Sequence, residues 1–237
     1  MQRYFTKICQ GNSFFLSDND IHHIKHVMRM KVNDMIEVVH NQDLYLARIN
    51  SLNPFEIVKE SKVISNVKDD VKIILAVGLL KEQKFNLVLQ KVTELGVAEI
   101  IPLKLKRCVV KLEEKDIDKK LKRWQLICKE ASEQSKRVTI PKICKPISLS
   151  ELRNIEADVK IGCFVSEKKK ILKNVLQTSN NCDKIIIAIG VEGGFTKEEE
   201  DMLNEYGYTS VTLGDLVLRS ETAVIYAMSV INYEFMR

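Results

Sequence analysis

No apolar run in this 237-residue chain reaches the roughly 18 residues a membrane helix needs, and its start, MQRYFTKICQGNSFF, lacks a secretion signal's basic head, long apolar stretch and small-residue cleavage site. A cytosolic protein with no membrane partner is expected. Cysteine never occurs as C-x-x-C: Cys9, Cys108, Cys128, Cys144, Cys163 and Cys182 are scattered, and His22, His23, His26 and His40 all fall in the first forty residues. That spacing argues against a zinc site and fits reduced, structural thiols, so no metal is expected. A composition 45% hydrophobic excludes collagen, a disordered tail and a disulfide miniprotein, and it supplies a sizeable core.

Net charge is only +5, and its placement matters more than its size. Residues 1–70 balance at 9 basic and 9 acidic, residues 71–145 carry 18 against 9, and residues 146–237 carry 10 against 14. The whole excess lies in the middle third, at positions such as Lys104, Lys111, Lys119 and Lys122. Clustered cations there describe either a polyanion-facing surface, which gains affinity by releasing counterions from phosphates, or a solvated helix face. Charge alone leaves both readings open.

Residues 1–70 read as short β segments, YFTKI, MIEVVHNQ, LYLARINSL and EIVKESKVI, interrupted by one helix from about Asp20 to Met30 that Ser17 or Asp18 caps. This pattern predicts a small β barrel or sandwich. The polar stretch Ser65–Asp70 reads as a linker to a second domain, residues 71–237. There VKIILAVG, VAEIIPL, DVKIGCFV, KIIIAIG and SVTLG alternate with helices near Phe85–Leu95, Asp116–Arg137, Lys169–Leu176, Lys197–Tyr206 and Glu221–Phe235. Such alternation predicts a parallel sheet with helices on both faces. Thr196 with Glu199 makes a capping box, and Gly207 stops that helix.

In an open α/β sheet ligands bind at the carboxyl ends of the strands, which directs attention to the loops leaving KIIIAIG and SVTLG. The first is Gly190-Val191-Glu192-Gly193-Gly194-Phe195-Thr196, three glycines around one acid. Glycine lets backbone groups approach a ligand closely. The pattern is neither the dinucleotide signature nor the nucleotide phosphate loop, since no Lys-Ser or Lys-Thr follows, and by itself it describes a structural turn as well as a ligand loop. The second, Leu213-Gly214-Asp215-Leu216-Val217-Leu218-Arg219-Ser220-Glu221-Thr222-Ala223, sets Arg219 directly before a helix. Ser220 can cap that helix and Glu221 complements its dipole, but a cation at its start contributes nothing to it. Arg219 therefore points to a ligand.

These two loops, together with KEQKFNLVLQKVTELGV at Lys81–Val97 and EASEQSKR at Glu130–Arg137, resemble the RsmE family of 16S ribosomal RNA uridine-N3 methyltransferases, members of the SPOUT class. The resemblance covers nearly the whole chain, including RYF near Arg3 and DIHHIKHVMRMKVND, which is similar to that family's PUA-like RNA-binding domain. It implies an α/β fold with a trefoil-knotted parallel sheet, a PUA-like β barrel at residues 1–70, S-adenosylmethionine (SAM) as cofactor, and a homodimer acting on 16S rRNA of the 30S subunit. The knot and the dimer come from the resemblance alone; strand order would give an ordinary doubly wound sheet.

Carried over by position, the resemblance implies that Ile189, Gly190, Glu192, Gly193, Gly194, Leu213, Gly214 and Leu218 wrap the cofactor, with Arg219 at the reaction centre. Uracil N3 is a weak nucleophile until its proton leaves, and a guanidinium would stabilise the resulting anion. Glu221 is a base or holds Arg219. Arg3, His23, Arg29 and Lys31 in the first domain, and Lys81, Lys84, Arg107 and Arg137 in the second, are the matching RNA-binding residues; His23 reads equally as a structural histidine. Phosphate contacts of this kind position RNA without selecting a base.

The family usually has Pro where this chain has Val191, and Pro-Arg where it has Asp215-Leu216, which removes one basic residue beside the site. Two other readings share the fold: a silent RNA-binding or ribosome-assembly protein, and a methyltransferase of transfer RNA. The intact glycines and Arg219 weigh against the first; the N-terminal domain and EASEQSKR weigh against the second.

Overall fold

The computed structural model describes residues 1–63, 71–179 and 182–235. They form two compact units, one of Met1–Val67 with Lys129–Ile140, the other of Lys68–Cys128 with Pro141–Arg237. The stretch read as a linker, Ser65–Asp70, lies outside the described residues.

The first unit contains β1 (Arg3–Thr6), β2 (Ile8–Gln10), β3 (Ser13–Phe15), α1 (Asp18–His22), β4 (Met35–His40), β5 (Asp43–Leu52) and β6 (Phe55–Val63). Its strands form one sheet in the order β1-β4-β5-β6-β3-β2, antiparallel except for β1 beside β4. Strands β1 and β2 end that order at opposite edges, yet only Lys7 separates them in the chain. The sheet must therefore curl until its two edges meet at one corner, giving a half-barrel. Alternate residues such as Ile36, Val38, Ala47, Ile49 and Ile57 point inward onto Tyr4, Phe14 and Ile24. Strands β2 and β3 escape sequence reading because three residues are too few to display alternation.

The helix expected over Asp20–Met30 is shorter and less regular. Ser17 caps α1 by accepting the Asp20 N–H, and one π turn, His23–Val27, follows. Arg29 then adopts φ 52°, which ends any helix.

The second unit contains β7 (Lys72–Gly78), α2 (Glu82–Glu94), β8 (Glu99–Lys104), α3 (Glu114–Gln134), β9 (Lys142–Ile143), β10 (Ile147–Ser148), β11 (Val159–Cys163), α4 (Leu172–Gln177), β12 (Lys184–Ile189), α5 (Lys197–Glu205), β13 (Thr209–Val211) and α6 (Ser220–Phe235). All seven strands are parallel, in the order β10-β8-β7-β12-β11-β13 with β9 also on β8. Strands β7 and β12, at the centre, are buried almost end to end, as expected when helices cover both faces. Helix α2 buries Phe85, Val88, Leu89 and Val92, and α6 buries Val224, Ala227, Met228 and Ile231, the same i, i+3, i+4, i+7 stripe. Each large apolar side chain so buried contributes about 1.5–3 kcal/mol. The capping box at Thr196 and Glu199 forms as expected, and Gly207 takes φ 84° just past α5. Strands β9 and β10, two residues each, were not foreseen, and α4 starts at Leu172 rather than near Lys169.

Chain order places Lys129–Ile140 in the second domain, but its packing places it in the first unit. The reason is a set of polar ties. Lys129 Nζ lies 2.5 Å from Asp20 Oδ1 and 2.8 Å from Glu133 Oε1. Arg3 Nε donates to Glu37 at 2.9 Å, and its Nη1 donates to the carbonyls of Lys136 and Arg137.

Candidate active site

Strands β12, β11 and β13 are neighbours and parallel, so their carboxyl ends share one edge of the sheet. The three loops leaving that edge, 164–171, 190–196 and 212–219, converge on one cleft enclosing about 660 Å³ including its open mouth. Gly190, Glu192 and Gly194 line it from the middle loop, Leu213, Gly214 and Leu218 from the third, and Ile189 from the end of β12. Of the cofactor residues expected from sequence only Gly193 is elsewhere.

The glycines are there for space. A Cβ on Gly190 would sit 2.9 Å from the Gly194 carbonyl carbon and 3.0 Å from Phe195 N, both backbone, so the turn closes only around glycine. Gly194, at φ 67°, donates its N–H to the Val191 carbonyl at 2.8 Å. Val191 itself is buried against Gly78, where a Cβ would approach it to 2.6 Å, so the Pro-to-Val departure is absorbed in packing.

The two loops singled out by sequence are fastened together. Ser220 was read as a helix cap; its Oγ instead donates to the Gly190 carbonyl at 2.6 Å, in a buried position. Lys84, on α2, reaches Glu192 Oε1 at 2.8 Å and Glu221 Oε2 at 3.5 Å, joining a carboxylate from each loop. Its hydrogen bond holds the Glu192 carboxyl below the usual carboxylate range, and Glu192 holds the Lys84 ammonium above its ordinary value. Arg107 Nη1 donates to the Gly193 and Phe195 carbonyls at 2.5 and 3.0 Å, bracing the glycine loop from its other side. Lys84 and Arg107, read from sequence as RNA contacts, thus both spend donors on this loop.

Arg219 lies between Leu218 and Ser220, both on the cleft wall, and its own side chain is exposed. Its carbonyl accepts the Ala223 N–H at 2.8 Å, so it is fixed at the start of α6. Glu221, 13% exposed, is paired with Lys84. Lys81, just before α2, is exposed.

In the first unit Arg29 and Lys31 are exposed, whereas Arg3 is 7% exposed with its donors on Glu37 and two carbonyls. His23 is half-buried, its Nδ1 3.0 Å from Tyr4 Oη. Arg137 is half-buried and its Nη2 donates to Thr139 Oγ1 at 3.3 Å.

One wall of the cleft lies outside the two loops that the sequence marks. Cys163, Phe164, Val165 and Lys168 close it from the loop after β11, and Thr212 and Ala223 complete it. No glycine pattern marks that loop; the rule that ligands sit past the carboxyl ends of adjacent strands was the available signal, and it needed the strand order. Burial pushes the Cys163 thiol up to about 12. Among the described residues no cluster of three His, Cys, Asp or Glu could hold a metal, and no helix is long and apolar enough to cross a membrane.

The lining combines apolar side chains with glycine backbone that a ligand can approach, the usual make-up of a small-molecule site. Comparison with known proteins agrees. Residues 67–232 match the RNA methyltransferase domain family and residues 16–60 the RNA methyltransferase PUA domain family. The chain is 36% identical to Ribosomal RNA small subunit methyltransferase E of Mesomycoplasma hyopneumoniae, covering 97% of this chain and 98% of that one. It is 32% identical to the protein of the same name from Bacillus subtilis, covering 99% and 97%. The solved Ribosomal RNA small subunit methyltransferase E of Neisseria gonorrhoeae, bound to S-adenosyl methionine, superposes with a TM-score of 0.87 at 27% identity over 98% of this chain and 97% of that one. With two family models spanning both units and full-length relatives above 30% identity, this chain belongs to the ribosomal RNA small subunit methyltransferase E family of RNA methyltransferases.

Proposed function

We propose that this protein transfers the methyl group of SAM to N3 of one uridine in 16S rRNA of the small ribosomal subunit. The observation that carries the reading is the cleft: three loops from adjacent parallel strands meet around it, and Leu218 and Ser220, the chain neighbours of the exposed Arg219, line it. SAM, when bound, supplies a sulfonium methyl for in-line displacement, which needs no metal.

The chain's own residues do the rest. Ile189, Leu213 and Leu218 offer apolar contact, Gly190, Gly194 and Gly214 offer backbone at close range, and Phe164 and Val165 exclude water from the third side. Arg219 offsets the charge that spreads onto uracil O2 and O4 as the N3 proton leaves. Glu192 and Glu221, joined through Lys84, hold the glycine loop and the first turn of α6 at a fixed spacing. Gly193 acts at one remove, through the carbonyl that Arg107 binds.

Residues 1–70 serve as the RNA-binding domain ahead of the catalytic domain at 71–237, with Arg29, Lys31 and Lys81 as exposed phosphate contacts. Arg3, His23 and Arg137 make their contacts within the first unit. The proposal keeps the knot, the homodimer and the cytosol as its setting.

The test is incubation with SAM and 30S particles that lack the modification, followed by primer extension. An N3 methyl blocks the pairing edge, so polymerase halts at one uridine. No halt, or an undiminished halt with Arg219→Ala, overturns the reading. A wild-type signal on transfer RNA instead would favour the other substrate.

A further inference from the structure

We infer that the turn Lys168–Lys170, with Lys173, is a phosphate-binding contact for the RNA strand next to the target nucleotide. The inference rests on the RNA methyltransferase reading above and adds a surface to it. Charge counted by thirds hides this site, because residues 146–237 carry a net acidic excess. Within that acidic third three lysines stand in a row, and the first of them, Lys168, lines the cleft.

The turn is built rather than loose. One carboxylate oxygen, Glu167 Oε1, accepts the N–H groups of Lys168, Lys169 and Lys170 at 2.9, 2.7 and 3.2 Å. Those bonds hold the Glu167 carboxyl below its usual range. Just before it, Ser166 Oγ donates to the buried Glu200 carboxylate at 2.7 Å. Just after it, the Lys170 carbonyl accepts the Thr212 N–H at 2.8 Å, which ties the turn to the loop that carries Arg219. Lys168 lines the cleft, and Lys169, Lys170 and Lys173, which follow it closely in the chain, are exposed.

These cations differ from those in the basic middle third. Lys84, Lys120, Arg123, Lys142 and Lys145 each face a carboxylate within 4 Å, and much of the charge there is spent inside the protein. Among the described residues none of the four lysines of this turn forms an ion pair, though Lys170 helps to lower the Glu167 carboxyl through space. Like charges crowded on an ordered backbone repel one another, and Lys173 in the first turn of α4 also opposes the helix dipole. Neither placement contributes to the fold, and both favour a polyanion at the mouth of the cleft. The other loop on that mouth exposes Leu216 and Val217, 81% and 76%, and offers apolar surface instead. Phosphate is therefore met from the lysine side.

The experiment uses the full chain with Lys169→Gln, Lys170→Gln and Lys173→Gln combined; Lys168 is left because it lines the cleft. Association with 30S particles is measured across a salt series, SAM binding by calorimetry, and methylation at limiting and saturating 30S. Each lost phosphate contact makes the slope of log affinity against log salt shallower by about 0.7–0.9, so two or three contacts change it by roughly 1.5–2.5. The expected result is that change, at least a tenfold fall in kcat/KM for 30S, unchanged SAM affinity, and recovery when the three positions are Arg. An unchanged salt slope overturns the inference. So does lost SAM binding in a folded variant, which would assign the turn to the cofactor. If wild-type protein gives no methylation, the functional reading fails, while the salt slopes still report on the turn.

Discussion

Ser220 Oγ donates to the carbonyl of Gly190 at 2.6 Å, across thirty residues of sequence and within a buried contact. This bond joins the glycine loop to the helix start behind Arg219, so the two halves of the site cannot drift apart independently. Ser220→Ala leaves a buried carbonyl without a partner, at a cost of about 1–3 kcal/mol. Calorimetric melting should show a lower Tm and SAM titration a weaker affinity; an unchanged pair of values would mean the bond holds nothing.

Gly190 and Gly193 predict opposite outcomes for the same substitution. In Gly190→Ala the new Cβ meets backbone atoms of Gly194 and Phe195 that cannot yield, so the turn must open and SAM binding should fall at least tenfold. In Gly193→Ala it meets Arg107 Cδ at 3.2 Å, on a side chain that can shift, and affinity should change less than threefold. Equal losses in the two variants would contradict this account of the loop.

Lys84→Gln removes both ion pairs that join Glu192 to Glu221. Exposed or half-exposed pairs are individually weak, so a loss of SAM affinity of about two- to tenfold is expected, with Lys84→Arg restoring most of it. The pH dependence follows from the signs. Glu192 is depressed from 4.5 and Lys84 raised from 10.5, so the pair is fully charged between those values and is lost as pH falls through the Glu192 value or rises through the Lys84 value. The difference between wild type and variant should thus be flat from about pH 6 to 9. A difference that varies inside that window would point to another titrating group.

Arg3 and Arg29 separate structure from RNA contact. Removing Arg3 leaves two carbonyls without its donor and Glu37 with Lys136 alone, at 3.0 Å, a loss of about 1–3 kcal/mol seen directly in thermal unfolding. Arg29→Ala should leave Tm within a degree and weaken 30S association instead. The reverse pattern would exchange their roles.

Burial pushes the Cys163 thiol, on the cleft wall, up to about 12. Its thiolate is therefore scarce at pH 8, and iodoacetamide should modify it more slowly than a free cysteine. Labelling as fast as that of free cysteine, read by peptide mass, would contradict the raised pKa.

The sequence by itself determined the parts that local chemistry controls. Strand and helix periods, the capping box at Thr196, the glycine turn and the cation before α6 are all set by residues near one another in the chain, and each was legible without coordinates. Tertiary structure alone decided which parts meet. The order β12-β11-β13 brings a third, unmarked loop to the cleft, and the fold gives Lys84, Arg107 and Arg3 partners far away in sequence. It also places Lys129–Ile140 in the unit that its position in the chain did not suggest. The reason is physical: an ion pair or a shared sheet edge depends on where a fold sets two distant segments, and neither segment's own residues record that distance.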